Sequence, residues 1–327
     1  MSITSNLSVL LVALLVEAAF GYPVALHEII RHPVMWIGDV IAWLDKTLNK
    51  ATLPEDRRRF NGVLALAAIL AAAIVPALII QIAMIDVLPD IVAILLLGIG
   101  VSSLFAQRSL WRHVAAVAWG LEKYVLEGGR AAVSRIVGRD PESLDEAAVS
   151  RAAIESLAEN FSDGIVAPAF WCAIFGLPGI AAYKAINTAD SMIGHQTERH
   201  RAFGWAAARL DDLVNLPASR LSAGWIALAA MMIGTNGEAA LKTARRDAKH
   251  HRSPNAGWPE AAMAGALGLR LAGPRVYGND RVDDPWMGDG RAEATAADIR
   301  RALDLYRVAC GLQIATLALL VGLIWLA

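Results

Sequence analysis

The chain has 327 residues, 56% of them hydrophobic and 19% charged, with a formal net charge of −1. Soluble domains carry about 45–50% apolar and about 25% charged residues, so this balance excludes an ordinary soluble fold and indicates an integral membrane protein. A near-neutral chain offers no electrostatic case for a nucleic-acid partner. Cys172 and Cys310 lie far apart in apolar runs, which makes neither a metal motif nor an expected disulfide.

In chain order, residues 7–26 form the first span, interrupted by Glu17 and Pro23. They lack a basic n-region and a small-residue cleavage site, so a retained helix is expected. Residues 36–48 read as an amphipathic interfacial helix with Trp36 and Trp43 on one face. Lys46, Lys50 and Arg57-Arg58-Arg59 make the next loop basic, and the positive-inside rule makes it cytoplasmic. Residues 62–85 and 91–106 are spans joined by an acidic outer turn, 86–90. Residues 111–133 read as a surface helix, interrupted at Gly128-Gly129. Pro141 with the pair Ser143 and Glu146 reads as a helix start closed by a capping box. That helix runs to about Asn160, with Arg151, Glu155 and Glu159 on one face.

The apolar run 164–185 contains Pro168, Gly176, Pro178 and Gly179. Broken helix at membrane depth is tolerated where protein buries it or it lines a cavity. A full crossing would also separate Glu155, Glu159 and Asp163 from the polar segment 187–220 across the bilayer. A re-entrant hairpin turning at 175–179 is therefore expected, and 221–234 is a second short or re-entrant segment. Residues 236–307 are polar: a helix is expected near 260–271, a loop over 273–290 and a charged helix over 292–306. Residues 308–327 form the last span. The expected fold is an all-α, polytopic integral membrane protein, one membrane domain over 1–327, with broken or re-entrant helices and cytoplasmic-face amphipathic helices.

The stretch 139–220 holds polar residues that packing alone does not require: Glu155, Glu159, Asn160, Asp163, Asn187, Asp190, Arg209, Asp211, Asp212, Asn215 and Arg220. A carboxylate beside hydrocarbon costs several kcal/mol unless solvated, paired or cation-bound, so these are candidate functional groups. Nucleotide-loop, zinc and serine-hydrolase motifs are absent. Oxygen ligands with interspersed Arg and Lys suit Mg²⁺ and phosphate. The residues by themselves support Mg²⁺-dependent phosphate chemistry at the cytoplasmic face, with no substrate named.

Several blocks, in one order, resemble the CobD/CbiB family of cobalamin biosynthesis, the adenosylcobinamide-phosphate synthases. They include His32-Pro33-Val34, Gly138-Arg139-Asp140, Ala158-Glu159-Asn160 and Ser162-Asp163-Gly164. Asn187-Thr188, Asp190-Ser191-Met192, Ala208-Arg209, Asp211-Asp212, Asn215, Pro217-Ala218 and Ser253-Pro254-Asn255-Ala256-Gly257 continue the match. Phe161, Ala189, His195, Met35 and Tyr22 depart from the family pattern. The resemblance implies a multi-pass enzyme of the cell (inner) membrane with its active site on the cytoplasmic face. It would join the propionate of adenosylcobyric acid to aminopropanol phosphate, or threonine phosphate, with ATP and Mg²⁺. Membrane lipid and other enzymes of the pathway are the expected partners.

On that resemblance Glu155, Glu159, Asp163 and Asp190 would hold Mg²⁺. Arg139, Lys184, Arg209 and Lys249 would bind ATP or the amine phosphate, with Arg220 and Asn255 also lining the substrate site. Asn160, Asn187 and Asn215 would orient oxygens, and Asp211 or Asp212 would act as base or second metal ligand. The rival readings are a corrinoid transporter and a non-catalytic scaffold of the pathway.

Overall fold

A computed structural model describes residues 2–22, 31–137, 141–277, 280–282 and 284–326. Its helices are α1 (Ile3–Phe20), α2 (Pro33–Leu48), α3 (Glu55–Val87), α4 (Asp90–Ser102), α5 (Gln107–Val133) and α6 (Glu146–Phe161). They continue as α7 (Ala167–Ile193), α8 (Trp205–Met232), α9 (Gly237–Asp247), α10 (Gly257–Leu267) and α11 (Ala296–Leu326). Two short antiparallel ribbons interrupt the helices: β1 (Leu271–Ala272) pairs with β4 (Trp286–Met287), and β2 (Arg275–Tyr277) with β3 (Asp280–Val282). The protein is thus an all-α polytopic membrane protein. Among the described residues, five helical stretches are long and apolar enough to cross a bilayer: Ile3–Phe20, Glu55–Val87, Asp90–Val133, Glu146–Ile193 and Ala296–Leu326.

Several local expectations need correction. Asp145, not Ser143, caps α6, accepting from the Ala148 N–H at 2.7 Å, because 141–143 form a 3₁₀ turn before the helix starts. The interruption of α5 falls at Tyr124 and Val125 rather than at Gly128-Gly129. The paired glycines instead permit the fold-back: a Cβ on Gly128 would lie 2.6 Å from the Gly120 carbonyl oxygen. Residues 205–232 form one helix, so the polar motif and the short apolar segment 221–234 are continuous. The charged helix and the last span likewise merge as α11. Part of the segment 273–290, expected as loop, pairs as the two ribbons.

The chain divides into two compact units, residues 1–106, 167–215 and 317–327 in the first, and 107–166 and 216–316 in the second. In the first, α1 packs on α4 and α7, and α3 packs on α2, α4 and α7. Apolar side chains on α3 and α4 such as Ile79, Ile82, Ile91 and Ile99 face outward, as lipid contact requires.

The apolar run 164–185 folds back on itself. Gly176 adopts φ +67° and ψ −146°, and α7 reverses there. A Cβ on Gly179 would lie 2.3 Å from the Trp171 carbonyl oxygen, an approach that eight residues of continuous helix, about 12 Å long, cannot make. Two buried amides close the tip: Gln81 Oε1 accepts the Leu177 N–H at 2.9 Å, and Asn6 Nδ2 donates to the Ile174 carbonyl at 3.2 Å. Backbone groups freed by the turn are satisfied by protein, as apolar surroundings demand.

The loop 194–204, after the returning arm, is tied to the end of α2 and the start of α3. Arg199 pairs with Asp45 at 2.5 Å, Asn49 donates to Asp45 at 2.7 Å, and Arg201 pairs with Glu55 at 3.1 Å. Arg58 donates to Asn49 Oδ1 at 2.8 Å. The loop therefore lies beside the basic run Arg57-Arg58-Arg59. Burial pushes the Asp45 carboxyl up, but hydrogen bonds from Arg199 and Asn49 prevail and hold it below its ordinary 3.8. The resulting stabilisation is present above the unfolded-state pKa and lost as pH falls through the lower folded-state value. Asp45→Asn should lower stability by about 1–3 kcal/mol at neutral pH. Thermal unfolding of purified protein should show that deficit shrinking as pH falls below about 4.

Candidate functional site: facing carboxylates and amides on α7 and α8

The returning arm of α7 and the first half of α8 face each other through polar side chains at helical spacing. Tyr183 and Asn187 are one turn apart on α7, and Asp211 and Asn215 one turn apart on α8. Asn187 Nδ2 donates to Asp211 Oδ1 at 3.4 Å, and Asn215 Nδ2 donates to Asp211 Oδ2 at 3.0 Å. The Tyr183 hydroxyl donates to Asn215 Oδ1 at 2.9 Å, with both residues 1% exposed. Asp190, one turn beyond Ile186, adds a second carboxylate whose charge reaches Asp211, and it feels the charge of a third, Asp212, in turn. Arg209 lies 3.6 Å from Asp212 at the exposed margin.

The cluster concentrates negative charge where water is scarce. Burial pushes the Asp211 carboxyl up to about 7, the Asp190 charge adds to that, and the hydrogen bonds from Asn187 and Asn215 oppose it. Burial also raises Asp212, against the pull of Arg209. Like-charged carboxylates held close together without a cation between them disfavour ionisation, and a bound cation relieves the repulsion. The donor set is all oxygen, which fits Mg²⁺. Among the described residues no three His, Cys, Asp or Glu side chains form a ready metal cage. A hard cation here would take one or two carboxylates and complete its shell with water and phosphate, the usual habit of Mg²⁺.

The site residues expected from sequence fall into two groups. Lys184, Asn187, Asp190, Arg209, Asp211, Asp212 and Asn215 belong to the first unit, where the two amides and three aspartates converge. Lys184 is half-buried one turn before Thr188, whose hydroxyl donates to the Lys184 carbonyl at 2.6 Å.

The second unit contains Glu155, Glu159, Asn160, Asp163, Arg220, Lys249 and Asn255. Glu155 is buried, and its Oε1 accepts the Ala272 N–H at 2.9 Å. Asn160 Nδ2 turns back to the Ser156 carbonyl at 2.9 Å, whereas Glu159 is exposed and Asp163 half-buried at a π-turn. Arg220 bonds Ser219 Oγ and the Leu216 carbonyl, both at 3.0 Å, and Asn255 Oδ1 at 3.4 Å, with its guanidinium 4.8 Å from the Trp258 ring centre. Arg220 and Asn255 thereby tie the 253–257 loop to α8. Arg139, with its neighbours Gly138 and Asp140, lies outside the described residues.

Sequence reasoning misses Tyr183, which orients Asn215, and the amide pair Asn6 and Gln81. Each is legible as a lone polar group at helical spacing within an apolar run.

The family model described as "CobD/Cbib protein" matches residues 10–306. The "Cobalamin biosynthesis protein CobD" of Rhizobium meliloti (strain 1021) is 50% identical over 310 residues, 94% of each chain. A protein of that name from Rhodobacter capsulatus is 49% identical over 318 residues, covering 97% of this chain and 96% of its own. That of Brucella suis biovar 1 (strain 1330) is 49% identical over 98% of this chain and 96% of its own. No solved structure matches the chain. With matching blocks along nearly its whole length, helices long enough to span a membrane and relatives at half identity, the chain belongs to the CobD/CbiB family of cobalamin biosynthesis.

Proposed function

We propose that the protein is an ATP-dependent amide ligase that joins adenosylcobyric acid to aminopropanol phosphate or threonine phosphate, giving adenosylcobinamide phosphate in the first case. The observation that carries this reading is the convergence of Asp190, Asp211, Asp212, Asn187 and Asn215 on facing sides of α7 and α8. A carboxylate is a poor electrophile, so the propionate oxygen must first attack the γ-phosphorus of ATP, releasing ADP and leaving an acyl phosphate. The amine then attacks the acyl carbon, phosphate departs, and a carboxylate accepts the proton from nitrogen. Asp190 with Asp212 would hold Mg²⁺, which supplies charge neutralisation of the phosphates when bound. Asn187 and Asn215 fix Asp211 as the base, and Arg209 and Lys184 meet phosphate oxygens. Glu155, in the second unit, is engaged by the backbone of Ala272.

We assign the site to the cytoplasmic face of the cell membrane. Supporting this, the loop that follows Asp190 is bound to the junction of α2 and α3, where the arginine run opens α3, and positive segments flanking spans stay inside. A cysteine placed at Gln196 in intact cells should resist an impermeant thiol reagent and react once the membrane is opened. Labelling from outside would overturn the assignment. The ligation itself is tested by incubating purified protein with adenosylcobyric acid, each amine, ATP and Mg²⁺. The proposal expects amide product in step with ADP, and product formation independent of ATP would sink it.

A further inference from the structure

A polar cavity lies in the unit formed by residues 107–166 and 216–316, away in sequence from the aspartate cluster. Its volume is about 440 Å³, within the range of small-molecule sites, and Arg246, Asp247, Lys249, His250, Arg270 and Trp286 line it together with Gly288 and Asp289. The floor is rigid. Asp247 is 3% exposed and takes two hydrogen bonds from Arg246, at 2.6 and 2.7 Å, and one from the Gly288 N–H at 2.8 Å. Arg246 also pairs with Asp289, so these three charges are satisfied among themselves.

One wall is the Trp286 indole. Gly273 lies against it so closely that a Cβ there would sit 2.6 Å from the ring, and the Arg151 guanidinium is 5.4 Å from the ring centre. The rim is different in kind. Lys249, His250 and Arg270 are exposed and cationic or titratable, and among the described residues the only carboxylates lining the cavity are the two already paired with Arg246. A fixed, charge-balanced floor beneath a cationic rim and an aromatic wall suits a multiply charged anion.

We infer that this cavity binds the phosphate group of a substrate, with Lys249 and Arg270 as its principal cationic contacts and the indole edge of Trp286 against the rest of the molecule. The inference rests on the proposed ligation for the choice of substrates. Two sources share the required chemistry, the phosphomonoester of the amine and the polyphosphate of ATP. At the aspartate cluster a phosphate would meet carboxylates beside Lys184 and Arg209, whereas at this rim the two carboxylates are already paired with Arg246.

The test is calorimetric titration of the full-length protein in detergent with inorganic phosphate, O-phosphothreonine and Mg²⁺–ATP. It is run on wild type, Lys249→Gln, Lys249→Gln/Arg270→Gln and Lys249→Arg. Both side chains are exposed, so thermal midpoints should stay at the wild-type value. At least one phosphate probe should bind wild type and weaken about tenfold or more in the double variant, with Lys249→Arg retaining most of the affinity. Loss confined to O-phosphothreonine assigns the amine, and loss confined to Mg²⁺–ATP assigns the nucleotide; either supports the inference. Unchanged isotherms in folded variants, or no binding of any probe to wild type, overturns it. If wild type makes no amide yet still binds phosphate through Lys249 and Arg270, the proposed ligation falls and the anion site stands. Ligation by the double variant with unchanged KM for both substrates removes the anion site alone.

Discussion

Gly176→Ala is expected to destabilise the first unit by about 3 kcal/mol or more and to abolish activity with it. The backbone at Gly176 has φ +67° and ψ −146°, a region essentially reserved for glycine, and a side chain there costs about 1–3 kcal/mol in strain. The added methyl also meets protein at once: a Cβ would lie 2.4 Å from Gln81 Oε1 and 2.7 Å from Asn6 Oδ1. Overpacking of that kind costs typically about 1–3 kcal/mol. These amides also close the turn, so moving them aside releases the Leu177 N–H and the Ile174 carbonyl in an apolar setting. The check is the thermal midpoint and monodispersity of purified protein. Gln81→Ala should cost less, about 1–3 kcal/mol, because it loses the bond without straining the backbone. A Gly176→Ala protein as stable as wild type would mean that the turn is not fixed in this conformation.

Asp190→Ala should lower ligation by about 10²-fold or more while leaving the fold intact. The Asp190 side chain acts on its neighbours through charge, bearing on Asp211 and Asp212, rather than as a tie between helices. Removing one of several repelling carboxylates should hold or raise the thermal midpoint even as turnover collapses, the usual trade at a functional site. Asp211→Ala should be as damaging to turnover, and it also strips Asn187 and Asn215 of their shared acceptor. Both are read from initial rates of amide formation beside thermal unfolding. Parallel loss of midpoint and rate would indicate a purely structural cluster. Unchanged rates would favour a scaffold.

Composition alone suffices to identify the membrane class, because 56% hydrophobic residues cannot be buried in a soluble domain of this length. The reversal within 164–185 is also legible: Gly176, Pro178 and Gly179 interrupt an apolar run, and the polar residues flanking it need to share one face of the membrane. The turn falls at Gly176, inside the expected window. The break in α5 escapes sequence reading because it rests on Val125 at φ 53°, a conformation that no local preference favours in a β-branched residue. The spacing of Asn187, Asp190, Asp211 and Asn215 puts them on the faces of two helices, but only tertiary packing shows which faces meet. The fates of Glu155 and Arg220 are hidden for the same reason. Each sits in a polar motif, and each finds its partner in a segment far along the chain, at Ala272 and Asn255.

The most direct measurement is the coupled one: nucleotide consumed and amide formed by purified protein given adenosylcobyric acid, amine, ATP and Mg²⁺, for wild type and Asp190→Ala side by side. The account predicts one nucleotide consumed per amide in wild type, about 10²-fold slower formation in the variant, and a thermal midpoint no lower than that of wild type. Wild-type protein that moves corrinoid into liposomes without consuming ATP or making amide would contradict it, as would a variant that ligates at the wild-type rate.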